Sequence, residues 1–305
     1  MDHNLQKAIQ LHNQGDLLGA IALYRDLVDA EPENADAWHL FGVAAYQHGS
    51  PDLGADLIGN AIELKPGVAD YHSNLAMVQK AMGRLADSEA SLDKALACNP
   101  THAKALSNLA GLKRMAGEFE ATVDLARRAV AANGDDAETH NNLGNALKDM
   151  GRPVDAIASY RRAVEIAPDF ALAHWNLSLV LLLTGDLPGG FSEMSWRWRW
   201  SGFPAPRRGF QEPLWDGKEL GGKKILLHAE QGLGDALHFV RYAEPVRELG
   251  GEVILEVPEA MMPLVRQAGL AETVIAQGAA LPGFDCHASF LDLPRLLASD
   301  FGNLP

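Results

Sequence analysis

Residues 103–136, AKALSNLAGLKRMAGEFEATVDLARRAVAANGDD, and residues 137–170, AETHNNLGNALKDMGRPVDAIASYRRAVEIAPDF, align position for position without a gap. The same 34-residue frame extends in both directions. Gly15, Gly49, Gly83, Gly117, Gly151 and Gly185 form one column, and Pro32, Pro66, Pro100 and Pro168 form another, with Gly134 in the remaining slot. Small residues hold two further columns: Ala8, Gly42, Ala76, Ala110, Gly144 and Ser178, then Ala20, Gly54, Ser88, Thr122 and Ala156. Large apolar side chains fill Phe41, Leu75, Leu109, Leu143 and Leu177. A fixed period of this length marks a stacked-repeat architecture.

Each column has a physical role. A glycine that closes a first helix supplies the left-handed C-terminal conformation without strain. A proline that follows a second helix stops it, because proline cannot continue a helix. Small residues belong where the two helices of a hairpin cross closely. No single unit buries its own apolar face, so neighbours must stack to make a core. This period and these columns resemble the tetratricopeptide repeat. Five full units fit (1–34, 35–68, 69–102, 103–136 and 137–170), with a partial sixth from Ala171. The expected fold is mostly α: a right-handed superhelix, an α-solenoid, over 1–187, followed by a partial Rossmann-like α/β domain.

The sixth position of the repeat reads Gln6, Leu40, Asn74, Asn108, Asn142 and Asn176. By the family's geometry it faces the concave groove. Asparagine is a poor helix-interior residue, so four in register need a reason. An amide donates to a backbone carbonyl and accepts from a backbone N–H at once. A ladder of amides would therefore hold a protein or peptide segment through its main chain. The alternative is that asparagine is simply ordinary at this position of the repeat. The ladder also resembles that of the O-linked N-acetylglucosamine transferases, whose repeats hold protein substrates. His72, His140 and His174 share the fourth position with Trp38 and Leu106 and read as packing residues, too far apart for a shared metal ion.

The repeat dissolves at Pro188 into FSEMSWRWRW and a Pro-rich stretch, assigned as a capping helix and linker over 188–222. Phe191, Met194 and Trp198 keep helical spacing. Trp196, Trp198 and Trp200 could stack on sugar rings or take cation–π contacts with Arg197 and Arg199; the alternative is a cap over the last repeat. Residues 1–190 carry 25 Asp+Glu against 15 Lys+Arg, whereas 196–224 carry seven basic against three acidic residues, so the charge reverses at the junction.

From Lys223 to residue 305 the pattern alternates. KKILLH, VILEV, ETVIA and FDCHASF read as strands, with helices in ALHFVRYAEPVREL and PEAMMPLVRQAG, which implies a parallel sheet. The Gly-rich turn EQGLGD then lies at the strand C-termini, where such sheets bind ligands. One reading of this turn is a dinucleotide site with Gly232, Gly234 and Glu256, but the fingerprint's third glycine would fall at Leu237. Another makes Asp235 a general base near a helix start. A third makes Asp235 the helix cap.

ILLHAEQGLGDALHFVRYAEPVRELG, with EPLWDGKELGGKK before it, resembles the N-terminal half of bacterial heptosyltransferase-like glycosyltransferases of the GT-B fold. The resemblance implies that Asp235 is the catalytic base and that the complete family uses a nucleotide-sugar donor. Glu230 is an extra acid in the turn. The nucleotide-sugar half of that fold is missing, so residues 223–305 are expected to bind no such cofactor and transfer no sugar alone. The expected function is a protein- or peptide-binding repeat module of a bacterial glycosyltransferase-type protein; the alternative is a non-enzymatic scaffold for protein–protein assembly. The open edge of an unfinished sheet would offer a route to homo-oligomers.

Composition narrows the classes further. A net charge of −14 argues against a nucleic-acid grip. No apolar run approaches the about 20 residues of a membrane span, and MDHNLQKAIQ has no signal-peptide core. Cys98 and Cys286 have no paired or metal-ligand spacing, which fits a reduced, cytoplasmic setting and no bound metal.

Overall fold

A computed structural model of the chain describes residues 3–205, 207–230 and 232–305. Met1 and Asp2 of the first repeat, Pro206 of the linker and Gln231 of the Gly-rich turn lie outside the described residues. The chain divides into two compact units, Met1–Arg152 and Pro153–Pro305.

The first unit is a run of antiparallel helical hairpins: α1 (His3–Asn13), α2 (Leu17–Ala30), α3 (Ala35–Gln47), α4 (Pro51–Leu64), α5 (Ala69–Ala81), α6 (Leu85–Cys98), α7 (Ala103–Met115), α8 (Phe119–Ala132) and α9 (Ala137–Asp149). Every first helix ends one or two residues before its column glycine. Gly15, Gly49, Gly83, Gly117 and Gly151 have φ between +75° and +91°, the left-handed region. A Cβ at any of these five would meet nothing within 4 Å, so the demand there is purely conformational. At the hairpin crossing the demand is steric instead. A Cβ on Gly42 would lie 2.8 Å from the Gly54 carbonyl, and one on Gly54 would lie 2.9 Å from the Gly42 carbonyl. Around that contact Tyr24, Leu27, Phe41, Ile58, Tyr71 and Val78 are buried, and Ala8, Ala20, Ala44 and Ala61 fill the narrow places.

The second unit continues the repeats with α10 (Pro153–Ile166), α11 (Ala171–Leu183) and α12 (Leu187–Met194), and a 3₁₀ turn follows at Ser195–Arg199. Phe191 and Met194 of α12 are buried in the same core as Ile225, Leu227, Val253, Leu255 and Ala288 of the sheet. The apolar face of the last repeat helix is thus covered by the α/β part.

That part is a four-stranded sheet among the described residues: β1 (Lys224–His228), β2 (Glu252–Val257), β3 (Thr273–Ala276) and β4 (Cys286–Ser289). The order is β3-β2-β1-β4, and every pairing is parallel. The chain lays down β2 and β3 on one side of β1 and then crosses to place β4 on the other. β1 and β2 are buried on both faces beyond their first residues, which explains their unbroken apolar runs.

Two expectations are corrected here. The single helix read across ALHFVRYAEPVREL is broken into α13 (Leu233–Phe239), a 3₁₀ turn (Val240–Tyr242) and α14 (Ala243–Glu248). Pro245 has no N–H to give the Arg241 carbonyl and its ring crowds that carbonyl, so the chain tightens before it. The Pro-rich linker is also not a loose connector. Trp215 N donates to the His287 carbonyl (2.8 Å), and His287 N donates to the Pro213 carbonyl (3.1 Å). Residues 213–215 therefore extend the sheet beyond β4, with the Trp215 indole buried. The remaining short helices are α15 (Met262–Ala268), ended by left-handed Gly269, and α16 (Leu293–Leu296).

The glycine geometry separates two substitutions. Gly117→Ala forces a left-handed alanine and lowers the unfolding free energy by about 1 kcal/mol. Gly54→Ala drives a methyl group into backbone and costs more. Urea denaturation of the two variants measures the difference, and equal losses would contradict the steric account.

Candidate functional site

The asparagine column does not behave as one ladder. Asn74 Nδ2 lies 2.8 Å from His39 Nε2, so its amide is engaged within the repeats. Asn176 is buried in the second unit and has a partner of its own. Asn108 and Asn142 differ. Both are half-buried, and among the described residues neither amide has a hydrogen-bond partner. Both line a cavity of about 260 Å³ in the first unit, together with Lys80, Ser107, Arg114 and Glu138. Lys80 pairs with no carboxylate among the described residues, while Arg114 holds Asp149 at 2.8 Å. Two amides without a protein partner among the described residues, an available ammonium, a guanidinium and the Glu138 carboxylate therefore line one polar cavity.

The fourth-position column does more than pack. Nε2 of His72, His140 and His174 lies 2.8, 3.0 and 2.9 Å from the carbonyls of Pro66, Gly134 and Pro168, and Trp38 Nε1 donates to Pro32 O at 2.8 Å. Each side chain ties its helix to the carbonyl six residues earlier, in the turn that joins two repeats. For histidine this requires a hydrogen on Nε2. The signal in the column's composition is that four of its five residues, all but Leu106, carry a ring N–H.

In the second unit, Gly232 is the N-cap of α13 and makes no side-chain cap bond. Asp235 lies in the first turn of α13 and is not its cap, which corrects the capping reading; its side chain is half-buried. Gly234 is the second helical residue and is exposed. A Cβ on either glycine would meet nothing within 4 Å, so neither marks a close approach to backbone. Glu256 is fully buried and held by both Arg208 Nη atoms (2.8 and 3.0 Å) and by Gly278 N (3.2 Å). Buried with both oxygens engaged, Glu256 presents no exposed oxygen to a ribose, which counts against the dinucleotide reading.

Glu230 faces inward. Its two oxygens accept from Arg197 Nε (2.8 Å) and Arg197 Nη2, and its side chain is 1% exposed. Arg197 is itself fully buried. It also donates to the Met194 carbonyl, Asp292 Oδ1 (3.0 Å) and Ser289 Oγ (2.9 Å). Burial pushes the Glu230 carboxyl above its ordinary value, and the Arg197 guanidinium opposes that shift. Burial also acts upward on Asp292, but Arg197 and Ser289 outweigh it and hold that carboxyl below its usual range. One guanidinium thus joins the end of the repeats to the ends of β1 and β4. The WRWR cation is the hub of this network, a role beyond the cation–π partnership that its sequence setting implies. Trp196 stacks on His174 at 3.9 Å, Trp198 lies beneath Arg197 at 4.7 Å, and Trp175 lies 6.3 Å from Trp200. The three tryptophans therefore have structural contacts inside the unit.

Family models described as tetratricopeptide repeat match residues 5–69, 73–137 and 137–170, more than half of the chain. The chain belongs to the tetratricopeptide-repeat family. No curated protein matches it. Among solved structures it is similar to a chain of the Cut9–Hcn1 hetero-tetramer of the APC/C, with 16% identity and a TM-score of 0.59 over 63% of this chain and 38% of that one. It is similar to the Pseudomonas aeruginosa pilF protein (14% identity, TM-score 0.58, 65% and 91% covered). It is also similar to PilW, described as a type IV pilus biogenesis factor (20%, 0.57, 67% and 94%). The chain thus spans about two fifths of the first of these and nearly all of the other two. At these identities the likeness is one of fold. Tetratricopeptide repeats serve protein–protein interaction and scaffolding, and the repeats here belong to that class. None of the described helices is long and apolar enough to cross a membrane.

Arg197→Met leaves Glu230 and Asp292 buried without their cation. The loss is about 3–5 kcal/mol, the range for removing one member of a buried ion pair, read by urea denaturation of the purified chain. A loss below about 1 kcal/mol, the scale of an exposed pair, would show that the network holds nothing together.

Proposed function

We propose that the repeats hold an extended protein or peptide segment against Asn108 and Asn142 through its main chain. The observation that carries this reading is the pair of unpartnered amides lining one polar cavity. A half-buried amide with no partner gains most from a strand of backbone, which presents a donor and an acceptor at every residue. Asn74 and Asn176 are not part of the grip, because their own neighbours already use them.

The double substitution Asn108→Ala and Asn142→Ala weakens capture of a peptide selected on the parent chain by about 1 kcal/mol for each lost bond, or roughly tenfold or more in total. Asn74→Ala leaves capture unchanged. Circular dichroism of all variants stays at the parental level. Equal affinity of the double variant and the parent would return these residues to ordinary repeat sequence.

For residues 223–305 the reading is a portion of a bacterial glycosyltransferase-type protein. It is supported by the strand–AEQGLGD–helix passage, with Asp235 as its candidate base and Glu230 as a buried positioning acid. The competing non-enzymatic scaffold is favoured by a specific observation: Glu230 and Glu256, two acids near the strand ends, are both taken up by arginines. Under either reading these residues alone form no tight nucleotide-sugar site. Calorimetry of the purified chain with common nucleotide sugars is expected to show no micromolar binding. Micromolar affinity would overturn this and favour the enzyme.

A further inference from the structure

The β3-β2-β1-β4 order reverses between β1 and β4, and such a reversal opens a crevice beyond the strand C-termini. A cleft of about 310 Å³ lies there, lined among others by Arg207, Phe210, His228, His287 and Asp292. A smaller cavity of about 80 Å³, between Arg208, His228, Glu230 and Gln277, adjoins the same histidine.

Trp198, Arg208 and His228 line both cavities, and one of the three is incomplete. His228, the last residue of β1, is 3% exposed, and its Nδ1 is buried without a hydrogen-bond partner among the described residues. Its Nε2 lies 3.3 Å from His287 Nδ1 on β4. A buried ring nitrogen left unsatisfied costs on the order of 1–3 kcal/mol, and native proteins rarely leave one without a ligand or water to fill it.

The charges around it decide what fits. Asp292 gives one oxygen to Arg197 and the other to Ser289, and Glu256, beside His228 on β2, gives both to Arg208. Those carboxylates have little left to offer a cation. The groups still without partners are His228 Nδ1 and Arg207, which is exposed at the rim and pairs with no carboxylate among the described residues. Glu212, half-buried, acts on His287 rather than on His228. Burial first, then His287 and Arg208, push the His228 imidazole down to about 3, with Arg197 acting the same way and only Asp292 against. The His228 ring is therefore neutral in a neighbourhood poised for negative charge.

We infer that the cleft is a binding site for a small oxyanion-bearing ligand, a phosphate or a carboxylate, held by His228 and Arg207 with uptake of one proton. The proton comes from solvent onto the His228 imidazole. Nδ1–H then donates to the anion, and Nε2–H donates to His287 Nδ1, which fixes His287 as its Nε2–H tautomer. With Arg207, two positive charges face the ligand. Trp198 and Phe210 wall the remaining space, which suits a ligand with a flat apolar body behind its anionic group.

Sulfate is the first probe, because its own charge does not change over the range used. Calorimetry of the whole chain in two buffers of different ionisation enthalpy is expected to show uptake of close to one proton per sulfate. Affinity should rise about tenfold for each unit that pH falls between about 8 and 6. Phenyl phosphate and benzoate distinguish the two ligand sources, and benzyl alcohol, uncharged, should not bind. Arg207→Gln, an exposed change, is expected to weaken sulfate at least tenfold, and His228→Gln to abolish the pH dependence. Should His228→Gln fail to fold, the imidazole resonances of His228 in the parent report its protonation directly on titration with sulfate. Binding without proton uptake, unchanged sulfate affinity in Arg207→Gln, or no binding at tens of millimolar sulfate would overturn the site.

Discussion

The turn inside every helical hairpin of the first unit passes through one glycine held at positive φ. The glycine at that point ends a first helix, reverses the chain and sets the angle at which the second helix returns. Where Gly42 faces Gly54 the return is close enough for backbone to touch backbone, and there the absence of side chains matters more than the freedom of φ. Conformation at one column and volume at two others together produce a hairpin whose apolar face is open on both sides. Stacking follows because nothing else can cover that face.

A repeat array built this way has no natural last member. Here the end is solved chemically. α12 lends Phe191 and Met194 to the sheet's core, and the turn after it inserts Arg197 among three acceptors from separate elements. A buried guanidinium with so many fixed partners leaves little freedom to the segments it joins. The cation is worth more as a positioning device than as a source of stability, since an apolar replacement of the whole cluster could pack as well.

The helical hairpins, their boundaries and the strand–helix alternation were legible because they rest on periodicity, which is local. What the sequence concealed was the use of individual polar groups. Asn74 and Asn108 occupy the same repeat position, yet one is consumed by His39 while the other is open, because residue 39 is histidine and its equivalent one repeat on, residue 73, is serine. Glu230 stands in a Gly-rich turn, where the sequence shows only an extra acid. Only the three-dimensional return of the chain brings Arg197 against it across 33 residues. Phe210 and Trp215 sit in a stretch whose prolines suggest a tether, but their rings find the strand ends. Contacts of long sequence separation carry no period, and those are the contacts that make both candidate sites.

The ring N–H ties between repeats have a mechanical consequence. Trp38, His72 and His140 each pin their helix to the preceding turn, but Leu106, in the same column, has no hydrogen to give. The first unit is therefore a spring of unequal coils. Ahead of residue 103 the junction is held by charge instead of a ring N–H, with Lys113 2.7 Å from Glu89 and His102 3.1 Å from Asp70, so that seam, unlike those tied by a ring N–H, would loosen with salt.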